Sequence, residues 1–124
     1  MDKINLQQKF ALFSDHWHPR MIGELNQFAV KVVKAKGEFV WHHHDHEDEL
    51  FFVVKGRLLM QIREAPESQR DIWVEEGELI IIPHGMEHRP VAEEEVHLML
   101  LEPITTVNTG NIESERTVTQ LEHL

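Results

Sequence analysis

The sequence predicts an all-β fold in which short antiparallel strands close into a barrel. From about residue 22 onward, short runs rich in valine, isoleucine, leucine and phenylalanine alternate with glycine, proline or acidic turns. These turn signals recur roughly every eight to twelve residues, which is typical of a sandwich or barrel rather than of parallel βαβ units. At 124 residues, the chain has the length of a single domain.

The elements can be predicted in chain order. Residues 4–14 have the pattern of a short helical turn or an edge strand, and eight β-prone runs follow them. The runs at 79–82 and 97–101 are apolar on both faces, which predicts central strands or strands in a subunit interface. The eight predicted strands cover residues 27–33, 39–46, 50–54, 57–63, 71–74, 79–82, 88–91 and 96–101.

Two short extensions are predicted to flank the barrel. Residues 1–24 are assigned to an N-terminal extension, 25–103 to the barrel domain and 104–124 to a C-terminal extension. Within the last segment, residues 113–124 have a weakly helical pattern, because apolar residues three apart would share one face.

Charge and composition exclude several classes of partner. The formal net charge is −10, so we expect neither a nucleic-acid partner nor an anionic membrane surface, since both are bound by clustered lysine and arginine. No apolar run reaches the roughly 20 residues of a membrane-spanning helix, and the first residues lack the pattern of a secretory signal. The chain has no cysteine, which excludes disulfides and thiolate metal sites and makes a cytoplasmic location the simplest prediction.

Histidines are abundant, ten in all, and three stand in a row at positions 42–44. Because alternate side chains of a strand face the same way, His42 and His44 project together, about 7 Å apart along the chain, and His43 points to the opposite face. Two imidazoles at this spacing can bind one metal ion. After an acidic turn, Glu49 begins the next predicted strand and can return a carboxylate to the same place.

A second segment supplies a third imidazole. Pro83 and Gly85 predict a sharp turn that directs the following strand, on which His88 lies. Three neutral imidazoles and one carboxylate suit one divalent transition metal, namely Mn, Fe, Co, Ni, Cu or Zn. An octahedral ion with four protein ligands keeps two positions for water or substrate, as a catalytic metal requires. The predicted metal ligands are His42, His44, Glu49 and His88.

Some of these assignments have alternatives. The histidines could instead be core or surface residues, but three buried imidazoles on one face would leave several nitrogens without partners. Glu49 is also the candidate catalytic residue, as a proton shuttle, and could alternatively form only a hydrogen bond or a surface ion pair. His46 lies on the same face as His44 and is the rival ligand, although the acidic turn is expected to carry it away.

Other side chains are expected to have structural or solvent-exposed positions. Trp41 and Trp73 are predicted to be core or interface aromatics. Arg57 and Arg89 are candidates for binding an anionic substrate, but exposure or ion pairing is the expectation. The acidic run 93–95 is expected to be a solvated loop.

The first histidine segment resembles the first of the two paired motifs of the cupin superfamily, G-x5-H-x-H-x(3,4)-E-x6-G. One spacing departs from that motif, because Gly37 precedes His42 by four intervening residues rather than five. The residues that match the other spacings are His42, His44, Glu49 and Gly56.

The second segment is similar to the second motif of that superfamily, G-x5-P-x-G-x2-H-x3-N. Its last position is Ala92 rather than asparagine. The residues in register are Gly77, Pro83, Gly85 and His88. The resemblance is strongest over roughly residues 37–92.

This resemblance implies a jelly-roll barrel, an antiparallel double-stranded β-helix of about six to eight strands, with a metal inside it and often a homodimeric state. Short members of the superfamily include dioxygenases, sugar and keto-acid isomerases, decarboxylases, lyases and proteins with no known reaction. The likeness is closest to small members loosely called phosphomannose-isomerase-like, which is a likeness of fold and does not establish sugar isomerisation.

Three functional hypotheses follow. The first is a metalloenzyme that acts on a small polar molecule, with dioxygenase-type or isomerase-type chemistry left open. The second is a non-catalytic, metal-dependent sensor or small-ligand-binding protein. The third is a structural dimer whose metal is fully enclosed and only stabilises the fold.

Overall fold

The computed structural model describes residues 1–124. It contains one short helix and eight strands, and the all-β prediction is confirmed. The elements are α1 (Leu6–Phe10), β1 (Arg20–Leu25), β2 (Phe28–Glu38), β3 (Glu49–Lys55), β4 (Arg57–Ala65), β5 (Ser68–Glu75), β6 (Leu79–Ile82), β7 (Glu87–Pro103) and β8 (Glu122–His123).

The long strand β7 organises the sheet into a barrel. It pairs antiparallel with β2 along most of its length, with β4 through its first residues and with β3 through its last ones. The strand order is β5-β4-β7-β2-β1-β8, and β3 branches from β7 to pair with β6. The sheet is mixed rather than purely antiparallel, because the two-residue strand β8 pairs parallel to β1.

One acidic segment differs from its prediction. The predicted strands 88–91 and 96–101 are parts of the single strand β7, so the expectation of a loop at Glu93–Glu95 is wrong. The register explains the difference, because Ala92 lies opposite Gly37 and Val96 opposite Ala35. The three glutamates therefore form an exposed bulge, which lets the strand continue without a turn.

The predicted strand 39–46 is also wrong. Between β2 and β3 the only β pairing is a single antiparallel bridge between His42 and His88. A side chain occupies a backbone donor of this segment in place of a strand partner, because the His43 N–H donates to the Asn111 side chain at 2.9 Å.

Local hydrogen bonds determine the secondary structure of the two ends of the chain. Of the two alternatives for residues 4–14, the helix forms, and the Asn5 side chain caps it by accepting from the Gln8 N–H at 2.9 Å. The weakly helical pattern at 113–124 does not produce a helix, because side chains take its backbone donors. The Val118 N–H, for example, donates to Asn108 Oδ1 at 2.9 Å. With five residues, α1 is too short to span a membrane.

The barrel interior holds the main apolar core, and the period of two along the strands determines which residues enter it. On β4 the inward residues Leu58, Met60 and Ile62 are at most 3% exposed. Outside the barrel, α1 places Phe10 against Ile22 and Val32 in a second, smaller cluster. Polar side chains that enter this apolar interior are therefore the candidates for a functional site.

Candidate metal centre

His42 and His88 are held beside each other by the backbone. The His42 N–H donates to the His88 carbonyl at 3.0 Å, and the His88 N–H donates to the His42 carbonyl at 2.9 Å. Their ring centroids are 4.3 Å apart. Although 39–46 is not a strand, the predicted alternation holds, because His42 and His44 are buried while His43 is half-buried and binds Asp45 at 3.0 Å.

All four predicted ligands meet inside the barrel. Glu49, the first residue of β3, is 4% exposed, and its Oε1 atom lies 2.7 Å from His44 Nε2 and 3.2 Å from His88 Nε2. One candidate ligand atom from each residue lies within 4.8 Å of every other. The members of this metal cluster are His42, His44, Glu49 and His88.

Hydrogen bonds orient two of the imidazoles. His42 Nδ1 lies 2.9 Å from the Val40 carbonyl, and His88 Nδ1 lies 2.9 Å from the Met86 carbonyl. A carbonyl oxygen only accepts, so each Nδ1 carries the hydrogen and each Nε2 keeps its lone pair. Backbone contacts of this kind fix the tautomer and ring orientation of metal-binding histidines.

The chemistry of the donor set fits a cation. The lone pair of His88 Nε2 and the Glu49 carboxylate are both acceptors, yet they lie 3.2 Å apart. His44 Nε2 is buried and makes no hydrogen bond of acceptable geometry, although the same carboxylate is near. Converging nitrogen and oxygen acceptors are unfavourable in an apolar interior unless a proton or a metal ion lies between them. One divalent transition metal meets this requirement with the ligand types it prefers.

The electrostatics favour deprotonated ligands. Burial, with the neighbouring His88 as the second cause, lowers the pKa of His42 to about 3. Burial by itself would raise the pKa of Glu49, but its contacts with His44 and His88 outweigh that effect and hold the pKa well below its usual range. Both residues therefore have the protonation state that a metal ligand needs at neutral pH.

A small cavity adjoins the cluster. His42 and Glu49 form part of its lining, and its walls are mainly apolar, with Phe39 and Phe51 among them. The cavity volume is about 40 Å³, which exceeds the roughly 10–15 Å³ that one water molecule needs. The cluster is therefore next to space that a small molecule can enter, rather than sealed on all sides by side chains.

An ion pair inside the barrel was not predicted from the sequence. Lys31 on β2 and Glu102 on β7 are 1% and 2% exposed, and Lys31 Nζ lies 2.8 Å from Glu102 Oε1. Burial and the nearby charge of Glu49 raise the pKa of Glu102 well above its usual value. A signal for both residues existed, because each occupies an inward position by the period of two in an otherwise apolar strand.

The remaining candidates lie elsewhere. His46 is exposed and outside the metal cluster, as the acidic turn predicted. Arg57 and Arg89 form surface ion pairs with Glu75 and Glu38, at 2.9 and 3.0 Å, so neither faces the cavity.

The predicted aromatics are at the surface rather than in the core. Trp41 is half-buried, with the Arg63 guanidinium 4.0 Å from its ring centre, and Trp73 is 39% exposed. The cavity aromatic that the sequence analysis missed is Trp17, which packs against Phe39 with ring centroids 4.8 Å apart.

The C-terminal segment lies against the cluster. The Asn111 side chain accepts from the His43 N–H at 2.9 Å, and the Asn111 N–H donates to the His43 carbonyl at 3.0 Å. Gly110 has φ +55°, and a Cβ at this position would overlap the His43 carbonyl and approach the His42 ring. The close approach therefore requires glycine, and it positions the tail directly behind two of the histidines.

Comparisons with known proteins agree with this geometry. The family model described as "Cupin domain" matches residues 29–104. A crystal structure of a cupin-2 domain containing protein from Shewanella frigidimarina is 45% identical, with a TM-score of 0.75, and the match covers 81% of this chain and 93% of that one.

Two curated relatives are more distant. The uncharacterised protein YdbB of Bacillus subtilis is 32% identical over 84 residues, which are 68% of this chain and 65% of YdbB. An acireductone dioxygenase of Phaeosphaeria nodorum is 32% identical over 65 residues, 52% of this chain and 37% of the dioxygenase. The chain thus spans less than two thirds of the length of either relative.

Proposed function

The chain belongs to the cupin domain family and carries a His/Glu metal-binding cluster, and we propose that it is a metal-dependent enzyme of dioxygenase type that acts on a small polar molecule. The observation that carries the proposal is the metal cluster at the edge of a cavity with apolar walls. Likeness to a dioxygenase favours oxygen chemistry over isomerisation.

The proposed ligands are His42, His44, Glu49 and His88. A divalent transition metal bound to them would polarise the oxygen atoms of a substrate or activate O2. The backbone carbonyls that hold His42 and His88 keep both rings in the tautomer that offers Nε2 to the ion. Because this orientation exists before any ligand binds, little reorganisation is needed when one does.

Glu49 is proposed to have two roles. Its carboxylate is a ligand, and its contacts with two imidazoles maintain it in the ionised form. The same oxygen atoms lie at the cavity, where they can accept a proton from a substrate hydroxyl. Phe39 and Phe51 exclude bulk water from the cavity, which strengthens each electrostatic contact there.

Metal content and oxygen uptake test this proposal. Protein purified without a histidine tag should contain close to one divalent transition metal per chain, and it should consume O2 in proportion to the loss of a substrate. A panel of diols, keto acids, sugars and hydroxylated aromatics covers the expected chemistry. The His88→Ala variant should lose both properties, whereas His84→Ala, which removes an exposed histidine, should keep them. Ligand binding without oxygen uptake or conversion would instead support the non-catalytic alternative.

We also propose a homodimer formed through strand β6, by its free edge and the exposed apolar side chains beside that edge. Leu79 and Ile81 are 54% and 57% exposed on this strand, which pairs only with β3 and leaves its other edge free. An exposed apolar edge strand is a template for pairing with a second chain. Sedimentation should give the dimer mass for the wild type and the monomer mass for Ile81→Glu. A control substitution, Leu12→Glu, changes an exposed leucine elsewhere and should leave the dimer intact.

We also propose the strand connections, the domain bounds and the cellular location of the protein. The strand connections are expected to be those of a jelly roll. The barrel domain is assigned to residues 25–103, with extensions at 1–24 and 104–124, and limited proteolysis would test these boundaries. A cytoplasmic location is expected, and cell fractionation would check it.

A further inference from the structure

The segment between β2 and β3 carries two of the four metal ligands but lacks a strand partner along most of its length. His42 and His44 lie on it, and its only β pairing is the single bridge between His42 and His88. A metal site needs its ligands held to within about 0.5 Å of the productive geometry. Side-chain contacts must therefore supply part of the rigidity that a strand ladder would otherwise give to this segment.

Trp41, the residue before His42, makes such contacts on the outer surface of the barrel. Its side chain is half-buried. The guanidinium groups of Arg63 on β4 and Arg89 on β7 lie over its ring, at 4.0 and 5.3 Å from the ring centre. Both distances are within the roughly 6 Å at which a guanidinium group and an indole ring attract each other. We call these three residues, Trp41, Arg63 and Arg89, the Trp41 clamp.

Partners on the same two strands hold the arginines in place. Arg63 donates to Glu87 at 2.9 Å, and Arg89 donates to Gln61 at 2.8 Å. The members of each pair also lie directly opposite each other in the β4–β7 ladder. The Trp41 ring therefore rests against side chains that regular strands and hydrogen bonds already orient.

The Trp41 clamp joins the two segments that supply neighbouring imidazoles. On β7, His88 is buried, and Arg89 after it is half-buried on the opposite face of the strand. In the same way, His42 is buried and Trp41 before it lies on the outer surface. The imidazoles meet inside the barrel with ring centroids 4.3 Å apart, while Arg89 meets Trp41 outside it. A contact outside the barrel thus helps to fix the separation of two ligands inside it.

The β4–β5 hairpin carries a chemically matched contact in a different setting. The Arg57 guanidinium lies 3.9 Å from the ring centre of Trp73, and neither residue is next to a metal ligand in the sequence. Both belong to a continuous ladder of paired residues, so backbone hydrogen bonds already set their positions. Trp41 has no such ladder, and the loss of its contacts would release the segment that carries His42.

We propose that Trp41 is a positioning residue for the metal centre, held by Arg63 and Arg89 so that His42 keeps its place beside His88. The inference rests on the proposed function, because it concerns the ligands of the metal that this function requires. It adds three residues on the outer surface, none of which is a position of the cupin motifs.

Metal affinity and coordination geometry test the role of Trp41. The Zn2+ dissociation constant of the full-length protein is measured by competition with a chromophoric chelator, and the visible absorption spectrum of the Co2+-loaded protein reports the geometry of its ligands. Trp41→Ala should raise the Zn2+ dissociation constant by about tenfold or more, as is usual when a residue that supports metal ligands is removed, and should change the Co2+ spectrum. Trp41→Phe keeps a ring for the guanidinium groups, so its dissociation constant should stay within about threefold of the wild-type value.

The matched control is Trp73→Ala, which removes the same side chain from the other arginine contact. It should leave the Zn2+ dissociation constant within about twofold of the wild-type value and the Co2+ spectrum unchanged. If Trp41→Ala does not fold, as judged by circular dichroism, the double variant Arg63→Gln/Arg89→Gln removes both cations and leaves the ring. That variant should weaken Zn2+ binding to the same extent, whereas its control, Arg57→Gln, should not.

The outcomes separate the Trp41 clamp from the proposed function. If the wild type binds no Zn2+, the metal site itself is wrong and the clamp has no ligand to position. If Zn2+ binds at one per chain but Trp41→Ala binds it as tightly and with the same Co2+ spectrum, the clamp is overturned while the metal site stands. Equal weakening in Trp73→Ala overturns it as well, because the effect would then be one of general stability.

Discussion

The β4–β5 hairpin and the β2–β7 pair both line the barrel, but with different chemistry. The inward residues Leu58, Met60 and Val74 of the hairpin are apolar and nearly inaccessible to solvent. The inward face of the β2–β7 pair includes Lys31 and Glu102. The hairpin therefore supplies packing free energy, whereas the β2–β7 pair also buries two charged groups, which give little net stability. One barrel thus combines an apolar side with a side that carries buried charge.

The largest expected effect comes from breaking the buried ion pair. Lys31→Met leaves the Glu102 carboxylate buried without its cation, and we expect the free energy of unfolding to fall by about 3–5 kcal/mol. Urea denaturation at pH 7 measures the change. Lys36→Met, an exposed lysine on the same strand, should change it by less than about 0.5 kcal/mol. The double variant Lys31→Met/Glu102→Leu should regain most of the loss, and a single variant as stable as wild type would contradict the comparison.

On the apolar side, a substitution that leaves a void in the core should lower the free energy of unfolding without affecting the metal cluster. Leu58 is 0% exposed, so Leu58→Ala is expected to lower the free energy of unfolding by about 3 kcal/mol. Metal content per folded chain should stay at the wild-type value, because Leu58 is not part of the metal cluster. Leu12→Ala, at an exposed position, is the control. Loss of metal from the folded Leu58→Ala protein would show that the two sides are not separable.

A pH effect should be confined to the polar side. The pKa of His42 is about 3 in the folded protein and has its ordinary value of 6.5 when the chain is unfolded. Between these values the unfolded chain binds a proton that the folded chain does not. The free energy of unfolding of the metal-free protein therefore falls as pH drops below 6.5. At pH 5, His42 accounts for a loss of about 2 kcal/mol.

The His42→Gln variant isolates this contribution. Glu49, whose folded pKa is lowered, loses its own contribution only as pH falls below its ordinary value of 4.5, so the interval from pH 7 to pH 5 reports on imidazole groups and the variant identifies which histidine is responsible. Urea denaturation at pH 7 and pH 5 should give a difference about 2 kcal/mol smaller in the variant than in the wild type. Equal differences in both proteins would count against a neutral, buried His42.

The smallest effect is expected where the C-terminal segment meets His43. Asn111→Ala removes one hydrogen bond to the His43 N–H, and we expect a loss of about 1 kcal/mol. Hydrogen exchange should become faster at residues 105–112 and stay unchanged in β4. Thr119→Ala, an exposed change in the same tail, serves as control. Uniform acceleration across the barrel would mean that the tail is part of the global fold rather than a local cover.

The two sides also differ in how far the sequence predicts them. The metal cluster was predictable, because the spacing of His42, His44, Glu49 and His88 reflects a chemical requirement that few other structures share. Strand β6 was predicted with its observed bounds, since Pro83 and Gly77 delimit it. These features depend on local residues and their spacing.

Other features depend on contacts between distant segments. The bulge at Glu93–Glu95 arises from the register with β2, and an acidic run has the same composition in a loop or in a bulge. Glu102 and Lys31 are 71 residues apart, and although each lies at an inward position, only the register of β2 with β7 brings them together. Strand β1 was missed because its sequence lacks a regular alternation, and pairing with β2 forms it.

Metal analysis of His88→Ala beside the wild type tests the central claim most directly. The His88 side chain contacts Glu49 and His42, and its Nδ1 binds the Met86 carbonyl. Tag-free wild-type protein should hold about one divalent transition metal per chain, and His88→Ala should hold less than a tenth of that while keeping the wild-type β-sheet circular dichroism spectrum. A folded His88→Ala protein with a full metal complement would show that the ion, if one is present, is held somewhere else.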